Sequence, residues 1–314
     1  MAYKPYDDET IRRLIDGDPR LGLIVKQPRQ HRKRFAVALQ REQESVQEAG
    51  MLGYQARLLV QCSLPYRQQL VHEWTRRNGG LKLSVMTPQT IGLPYGAYPR
   101  LLLTWIATEA VRTKKRHLEL RESLTRFMAD LGINRHATGP QIRRFRNQVQ
   151  RLFASTITTY SDPTVEHQPF MVQTMTLADD MVLWWNPILS APDATSYLVL
   201  SEKFYALLTE RPVPVDLRVI QALKGSALAL DIYSWLVYRL GYLKQSTTIP
   251  WEVLQVQFGG EYAMTRQGRY EFKRKFQIQL KAVLQLYSTA HVTADSQGIT
   301  LQPSRLHITR RPAD

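Results

Sequence analysis

The chain contains a single cysteine among its 314 residues, which excludes two kinds of stabilising cross-link. Cys62 has no second cysteine with which to form an internal disulfide or a thiolate zinc cluster. We therefore expect a protein of the reducing cytoplasm, without metal or cofactor, in which Cys62 is a small buried hydrophobic residue.

Long apolar runs are also missing. The longest, Leu101 to Val111, is interrupted by Glu109 and is too short to span a bilayer. The first nine residues, Met1 to Glu9, lack the apolar segment of a secretory signal. The sequence thus predicts a protein that is neither secreted nor embedded in a membrane.

Enzyme signatures are absent as well. The chain has no Gly-x-x-x-x-Gly-Lys-Ser/Thr run, no His-Glu-x-x-His and no His-x-His. Tyr270-Glu-Phe-Lys273 superficially resembles the nucleophile motif of rolling-circle nicking initiators, but those enzymes also need a His-hydrophobic-His metal site. We interpret Tyr270 as a helix-surface residue and expect no enzyme; a nicking initiator that uses Tyr270 is one alternative.

Acidic residues are scarce in two particular places. The net charge is +15, and lysine and arginine outnumber acids in every third of the chain. No acid lies between Asp130 and Asp162, and only Glu271 lies between Glu261 and Asp295. Such a balance predicts a polyanionic partner, and the two gaps indicate which segments meet it.

Both gaps fall on the last helix of a pattern that occurs twice: an apolar helix, a short strand, a short helix, a long basic helix and a β-hairpin. The first copy runs from Pro99 to about Asn186, with its hairpin predicted from Thr156 to Tyr160 and Val172 to Trp185. This order is typical of winged-helix domains, which place the long helix in the major groove of DNA.

The second copy runs from about Ser226 to Leu301. Its long helix, from about Arg266 to Tyr287, has a predicted core stripe of Phe272, Phe276, Leu280, Val283 and Tyr287. A hairpin that turns at Asp295 to Gly298 follows, and then a basic tail of Arg305, His307, Arg310 and Arg311.

The sequence thus predicts an α+β, mainly helical fold with three parts. Residues 1–94 form a basic, partly helical N-terminal region, 95–195 a first winged-helix domain, and 196–314 a second one with a basic C-terminal tail. Near the N-terminus, Arg29, His31, Arg32, Lys33 and Arg34 form either a phosphate-binding arm or a solubilising tail.

The outward faces of the two long helices carry the residues that suit DNA readout. Arginine can pair bidentately with guanine, asparagine or glutamine with adenine, and lysine mainly contacts phosphate. The candidate DNA-binding residues are Gln141, Arg143, Arg144, Asn147 and Arg151 in the first helix, and Gln267, Tyr270, Lys273, Arg274, Lys275 and Lys281 in the second. A merely solvated polar face is the competing interpretation.

Several longer runs resemble the plasmid replication initiators called RepA. They lie between about Leu93 and Val292: Leu93-Pro-Tyr-Gly96, Pro99-Arg-Leu-Leu-Leu-Thr-Trp105, Phe153-Ala-Ser-Thr156, Leu200-Ser-Glu202, Pro212-Val-Pro-Val-Asp216, Leu228-Ala-Leu-Asp-Ile-Tyr-Ser-Trp235, Thr248-Ile-Pro-Trp251 and Phe258-Gly259. The resemblance implies a cytoplasmic bacterial protein that binds repeated sites, called iterons, in the double-stranded DNA of a plasmid origin.

The resemblance further implies that the protein opens the origin and recruits the host replicative helicase and the host chromosomal initiator protein. Related initiators often repress their own gene as homodimers, which is a means of plasmid copy control. The main alternative is a DNA-binding transcriptional regulator without initiator activity. Two nonidentical winged helices suit a long asymmetric repeat better than a short palindrome, which favours the initiator.

Overall fold

A computed structural model describes residues 37, 45–46, 49–120, 123–133, 137–161, 171–183 and 196–308. Of these residues, 43% are helical and 23% are in strands, so the fold is α+β and mainly helical. No helix within these ranges is long and apolar enough to cross a membrane. The basic tract at 29–34 and the arginines at 310 and 311 lie outside the described residues.

The second copy of the pattern, here called the second unit, has the predicted order of elements. It consists of α7 (Ala227–Leu240), β10 (Thr247–Pro250), α8 (Trp251–Phe258), α9 (Arg266–Leu284), β11 (Val292–Ala294) and β12 (Gly298–Leu301). Ser226 caps α7 by accepting a hydrogen bond from the backbone N–H of Ala229 at 3.2 Å. The three strands form an antiparallel sheet in the order β10-β12-β11.

Aromatic side chains fill the core of this unit. Phe276 of α9 meets the rings of Trp251 and Phe258 edge-on, with centroids 5.9 and 5.4 Å apart. All five residues of the predicted core stripe of the long helix are buried. That part of the prediction is confirmed, and it fixes which side of α9 faces outward.

His307 differs from its predicted place in a basic tail. It is only 8% exposed, and its ring packs edge-on against Tyr287 and Tyr233, with centroids 4.2 and 5.3 Å away. This histidine therefore belongs to the core of the second unit, where its ring packs between two buried tyrosine rings. Arg305 is exposed.

The first unit repeats the same sheet order with different strands. It consists of α2 (Ala97–Thr113), β4 (His117–Glu119), α3 (Leu124–Asp130), α4 (Gly139–Phe153), β7 (Ala178–Val182) and β8 (Tyr197–Leu200). Its antiparallel sheet has the order β4-β8-β7, which corresponds to β10-β12-β11 strand for strand.

The hairpin predicted for the first unit is only partly right. β5 (Thr156–Ser161) and β6 (Val172–Thr176) pair with each other, but they join β2 (Glu73–Asn78) and β3 (Leu81–Met86) in a separate sheet of order β2-β3-β5-β6. The hairpin that flanks β4 is instead β7 with β8. Leu177 is fully buried between β6 and β7, where the chain passes from one sheet to the other.

The described part of residues 1–94 is built into both units. β1 (Leu52–Gln55) pairs with β9 (Val213–Asp216), while β3 pairs with β5. The remaining elements are the short helices α1 (Arg57–Gln61), α5 (Glu202–Glu210) and α6 (Leu217–Leu223). The domain boundaries at 94/95 and 195/196 stay predictions; backbone pairing crosses both of them.

A buried ion pair joins α2 of the first unit to α7 of the second. Arg100 donates to the carboxylate of Asp231 through Nε at 2.7 Å and Nη2 at 2.8 Å. Its other N–H groups donate to the carbonyls of Leu64, Pro65 and Gly96 at 2.6, 3.2 and 2.7 Å. Burial lowers the pKa of Arg100, but Asp231, Tyr66 and Glu261 together raise it by more, so the pKa lies above its ordinary value and the guanidinium stays charged.

Candidate nucleic-acid interface

The first turn of α9 has a fixed position and direction. Thr265 is its N-cap and accepts a hydrogen bond from the backbone N–H of Gly268 at 3.1 Å. A Cβ on Gly268 would lie 2.1 Å from the carbonyl oxygen of Ala263, so only glycine fits beneath this turn. The connection from α8 therefore packs directly against the start of the long helix.

The outward face of α9 is basic, as the sequence predicts. Arg274, Lys275 and Lys281 are exposed and make no hydrogen bond or ion pair with the described part of the chain. Tyr270 is 62% exposed on the same helix, and Ile278 is 49% exposed. These three cations, which form no hydrogen bond or ion pair within the described ranges, are available to a polyanion.

Two other candidates on α9 are held by neighbouring groups. Gln267 donates from Nε2 to Glu271 at 2.8 Å. Lys273 donates to the carbonyl of Ser296 at 3.2 Å, and its Nζ lies 5.1 Å from the centre of the Trp251 ring. Lys273 thus connects the long helix to the hairpin turn rather than extending into solvent.

Three hydrogen bonds fix the conformation of the hairpin turn. The Asp295 carboxylate accepts from the backbone N–H groups of Gln297 and Gly298 at 2.8 and 3.0 Å, and the indole N–H of Trp251 donates to the Asp295 carbonyl at 3.1 Å. The bonds from Gly298 and Gln297 hold the pKa of Asp295 below its ordinary value. Helix α9 and the turn of the β11–β12 hairpin therefore form one continuous surface that is exposed to solvent.

On α4, some candidate DNA-binding residues are exposed and others form hydrogen bonds within the protein. Arg143 and Arg144 are exposed and have no hydrogen-bond or ion-pair partner among the described residues. Gln141 completes a capping box by accepting from the backbone N–H of Thr138 at 3.0 Å. The side chain of Gln141 is thus engaged at the start of the helix.

Arg151 connects α4 to the loop before α2. It donates to Asn147 at 2.6 Å and to the carbonyl of Leu93 at 3.1 Å, and its guanidinium lies 5.4 Å from the centre of the Tyr95 ring. Sequence spacing placed Arg151 and Asn147 on the outward face with Arg143. The bond between Arg151 and Asn147 is an i,i+4 contact within the helix, whereas the bond from Arg151 to Leu93 joins residues 58 positions apart, which spacing cannot reveal.

Two further arginines in the first turn of α9 were not singled out from the sequence. Arg266 is exposed, and Arg269 lies 3.9 Å from the carboxylate of Glu252 on α8. Both lie within two positions of the candidate Gln267, so their place in the first turn of the helix was the signal that could have identified them.

A loop from the N-terminal region lies against the connection between α8 and α9. Glu261 in that connection accepts from the backbone N–H groups of Tyr66 and Arg67 at 2.6 and 3.0 Å. Beside it, Arg76 of β2 is 2% exposed and lies 4.5 Å from the centre of the Trp74 ring. A Cβ on Gly260 would lie 2.0 Å from Nη1 of Arg76, so a larger residue there would displace this guanidinium.

The described residues contain no group of three or more His, Cys, Asp or Glu side chains that could hold a metal ion. Cys62 is 1% exposed, and burial raises the pKa of its thiol to about 12. What the described surface offers is exposed cations and one exposed tyrosine on two long helices.

Comparison with known proteins identifies the family. The family model described as "Plasmid encoded RepA protein" matches residues 93–253. Two structures, both of domains 2 and 3 of RctB, align over 77% of this chain and 94% of theirs. Their TM-scores are 0.46 and 0.48, with 10% and 12% sequence identity. No curated protein matches the chain. Because the family model covers more than half of its residues, the chain belongs to the plasmid-encoded RepA replication initiators.

Proposed function

We propose that this initiator binds repeated double-stranded sites at a plasmid origin through two winged helices, one in each unit. In this proposal α4 and α9 enter successive major grooves, and the hairpins β7–β8 and β11–β12 are the wings. The repeated sheet order, β4-β8-β7 and β10-β12-β11, supports the assignment, since in each unit the long basic helix precedes the hairpin, although in the first unit β5 and β6 lie between them.

The observation that carries the proposal is the set of exposed cations on both long helices that form no hydrogen bond or ion pair with other described residues. They are Arg143 and Arg144 on α4, and Arg274 and Lys275 on α9. On the opposite side each helix is anchored by buried residues, among them Phe145, Val149 and Leu152 of α4 and Phe272, Phe276 and Leu280 of α9, so each helix can present its cations without rotating. Two such faces in one chain suit a long asymmetric site.

From the resemblance to RepA initiators we propose the further steps of initiation. The bound protein opens the duplex and recruits the host helicase and the host chromosomal initiator, and a homodimer represses its own gene. Binding and distortion of DNA suffice for these steps, so we propose no enzymatic activity and no cofactor.

The first experiment is a footprint of the full chain on DNA that flanks its own gene, at physiological salt with random competitor. Protection of several evenly spaced direct repeats near an A·T-rich tract supports the initiator. Protection of a single palindrome over the promoter supports the regulator without initiator activity. Cleavage of a strand would instead make Tyr270 the candidate nucleophile.

Base readout and phosphate contact predict different losses on the protected site. Arg274→Ala and Arg143→Ala are expected to cost about 1 to 3 kcal/mol on the cognate site and to relax selectivity. Lys275→Ala is expected to weaken binding to all sequences and to reduce the slope of log affinity against log salt by about one unit. Arg112→Ala, on α2 and 68% exposed, is the matched control for loss of one surface charge. Equal losses on cognate and random DNA would exclude base readout by Arg274 or Arg143.

A further inference from the structure

Residues 66–72, here called the Leu70 loop, present an apolar tip on a fixed base. Leu70 is 94% exposed and Val71 is 53% exposed. Single exposed leucines are ordinary on a protein surface, but a leucine at the end of a firmly held loop is presented in one place. The contacts at the base of this loop show how firmly it is held.

Residues of both units form hydrogen bonds with the base of the loop. Glu261, in the connection that leads into α9, accepts hydrogen bonds from the backbone N–H groups of Tyr66 and Arg67, while Gln69 donates to the same carboxylate at 3.4 Å. From the other side, the buried Arg100 donates to the carbonyls of Leu64 and Pro65. Leu70 therefore keeps a set position relative to the start of α9.

The electrostatics around the loop favour DNA. No acidic residue occurs from position 49 to position 72, and the exposed Glu73 that follows accepts a hydrogen bond from the Ser84 hydroxyl at 2.8 Å. The nearby carboxylate of Glu261 is only 9% exposed: its Oε1 accepts from the loop's own N–H groups, and its Oε2 lies 3.9 Å from Nε of Arg67. Arg67 and Gln68 are exposed beside the tip. Arginine and glutamine are side chains that contact the floor of the minor groove, and leucine is one of the residues that proteins insert there between base steps.

We propose that Leu70 is a wedge that enters the minor groove beside the major-groove segment contacted by α9 and partly unstacks one base step. This inference rests on the proposed function, because it takes the position of DNA from α9. In helix-turn-helix proteins the N-terminal part of the recognition helix meets the bases, and an adjoining segment can reach the neighbouring minor groove. Glu261 lies five positions before the first residue of α9, so the loop is attached at that end of the helix.

The test uses the full chain and a duplex with one of the footprinted sites, in which 2-aminopurine replaces adenine at successive positions. The unaltered protein should increase the fluorescence at one step beside the segment contacted by α9. Leu70→Ala should abolish that increase and weaken binding to the intact duplex about tenfold, since most of the buried apolar side chain is lost. Leu70→Met should retain both properties. Met171→Ala, at a residue 59% exposed before β6, is the matched control.

A second duplex with a mismatch at the brightened step separates a wedge from an ordinary contact. Because the mismatch already removes stacking, the unaltered chain should bind it more tightly than the intact duplex, and Leu70→Ala should recover most of its lost affinity there. Unchanged fluorescence and affinity for Leu70→Ala would overturn the wedge while leaving the proposed function in place. An equal loss on both duplexes would also overturn it. If the unaltered chain protects no specific site at all, the proposed function fails and the wedge fails with it.

Discussion

Replacing Asp231 by asparagine should destabilise the folded chain by about 3 to 5 kcal/mol, the usual cost of leaving one partner of a buried ion pair alone. The side chains of Arg100 and Asp231 are only 7% and 12% exposed. In the variant, the guanidinium keeps its three carbonyl acceptors but has lost its counter-ion. Asparagine preserves the size of the side chain, so the loss reports charge rather than a cavity.

A double-mutant cycle measures the pairwise part of this energy. Arg100→Met and Asp231→Asn are made singly and together, and the free energy of unfolding is taken from urea titrations. For residues in direct contact we expect the double variant to be less destabilised than the sum of the two single ones, by about 0.5 to 3 kcal/mol. Arg100→Met also leaves the carbonyls of Leu64, Pro65 and Gly96 without this donor, so it should be the more damaging single change.

An exposed ion pair on the same helix provides the control. Arg112 donates to Glu109 one turn away on α2, and its side chain is 68% exposed. Because water solvates both groups when they separate, Glu109→Gln should cost no more than about 0.5 kcal/mol. If Asp231→Asn costs as little as this control, or if the cycle shows no coupling, the two units are not held together by this pair.

Three further changes test other features of the structure. Gly268→Ala should destabilise the second unit and weaken DNA binding, because its Cβ would meet the carbonyl of Ala263, whereas Gly139→Ala at the start of α4 meets nothing within 4 Å and should be neutral or stabilising by up to about 1 kcal/mol. Cys62, with its raised pKa, should react with a thiol reagent at pH 8 only on unfolding; reaction of the native chain would contradict its burial. The NMR-titrated pKa of Asp295 should lie below 3.8, so the turn is stabilised above that pH and loosens as pH falls through the lowered value; a normal pKa would exclude the two backbone bonds.

The helices of both units could be predicted because their information is local. An apolar stripe at helical spacing lies within one segment, as do Pro250 before α8 and Gly259 after it, and these signals gave α7, α8 and α9 nearly at their observed limits. The same spacing correctly placed Arg274 and Lys281 outside and Phe276 inside. For the same reason the hairpin turn at Asp295 could be read from four consecutive residues.

The pairing of strands within the sheets could not be predicted from such local patterns. β1 pairs with β9, and β3 with β5, across long stretches of chain, and nothing within a strand specifies which distant strand it joins. The hairpin β5–β6 was therefore assigned to the first unit's own sheet, whereas it pairs with the N-terminal hairpin.

By itself, the sequence determined the family, the order of helices and strands, and the basic outward faces of the two long helices. Only the tertiary structure decided which of those polar side chains are already engaged, as Arg151 is with Leu93 and Lys273 with Ser296. It alone brought Arg100 to Asp231, and Glu261 to the Leu70 loop. The contacts of Arg100 and Glu261 join residues 131 and up to 195 positions apart. They form only when distant parts of the chain pack together, so no local pattern in the chain encodes them.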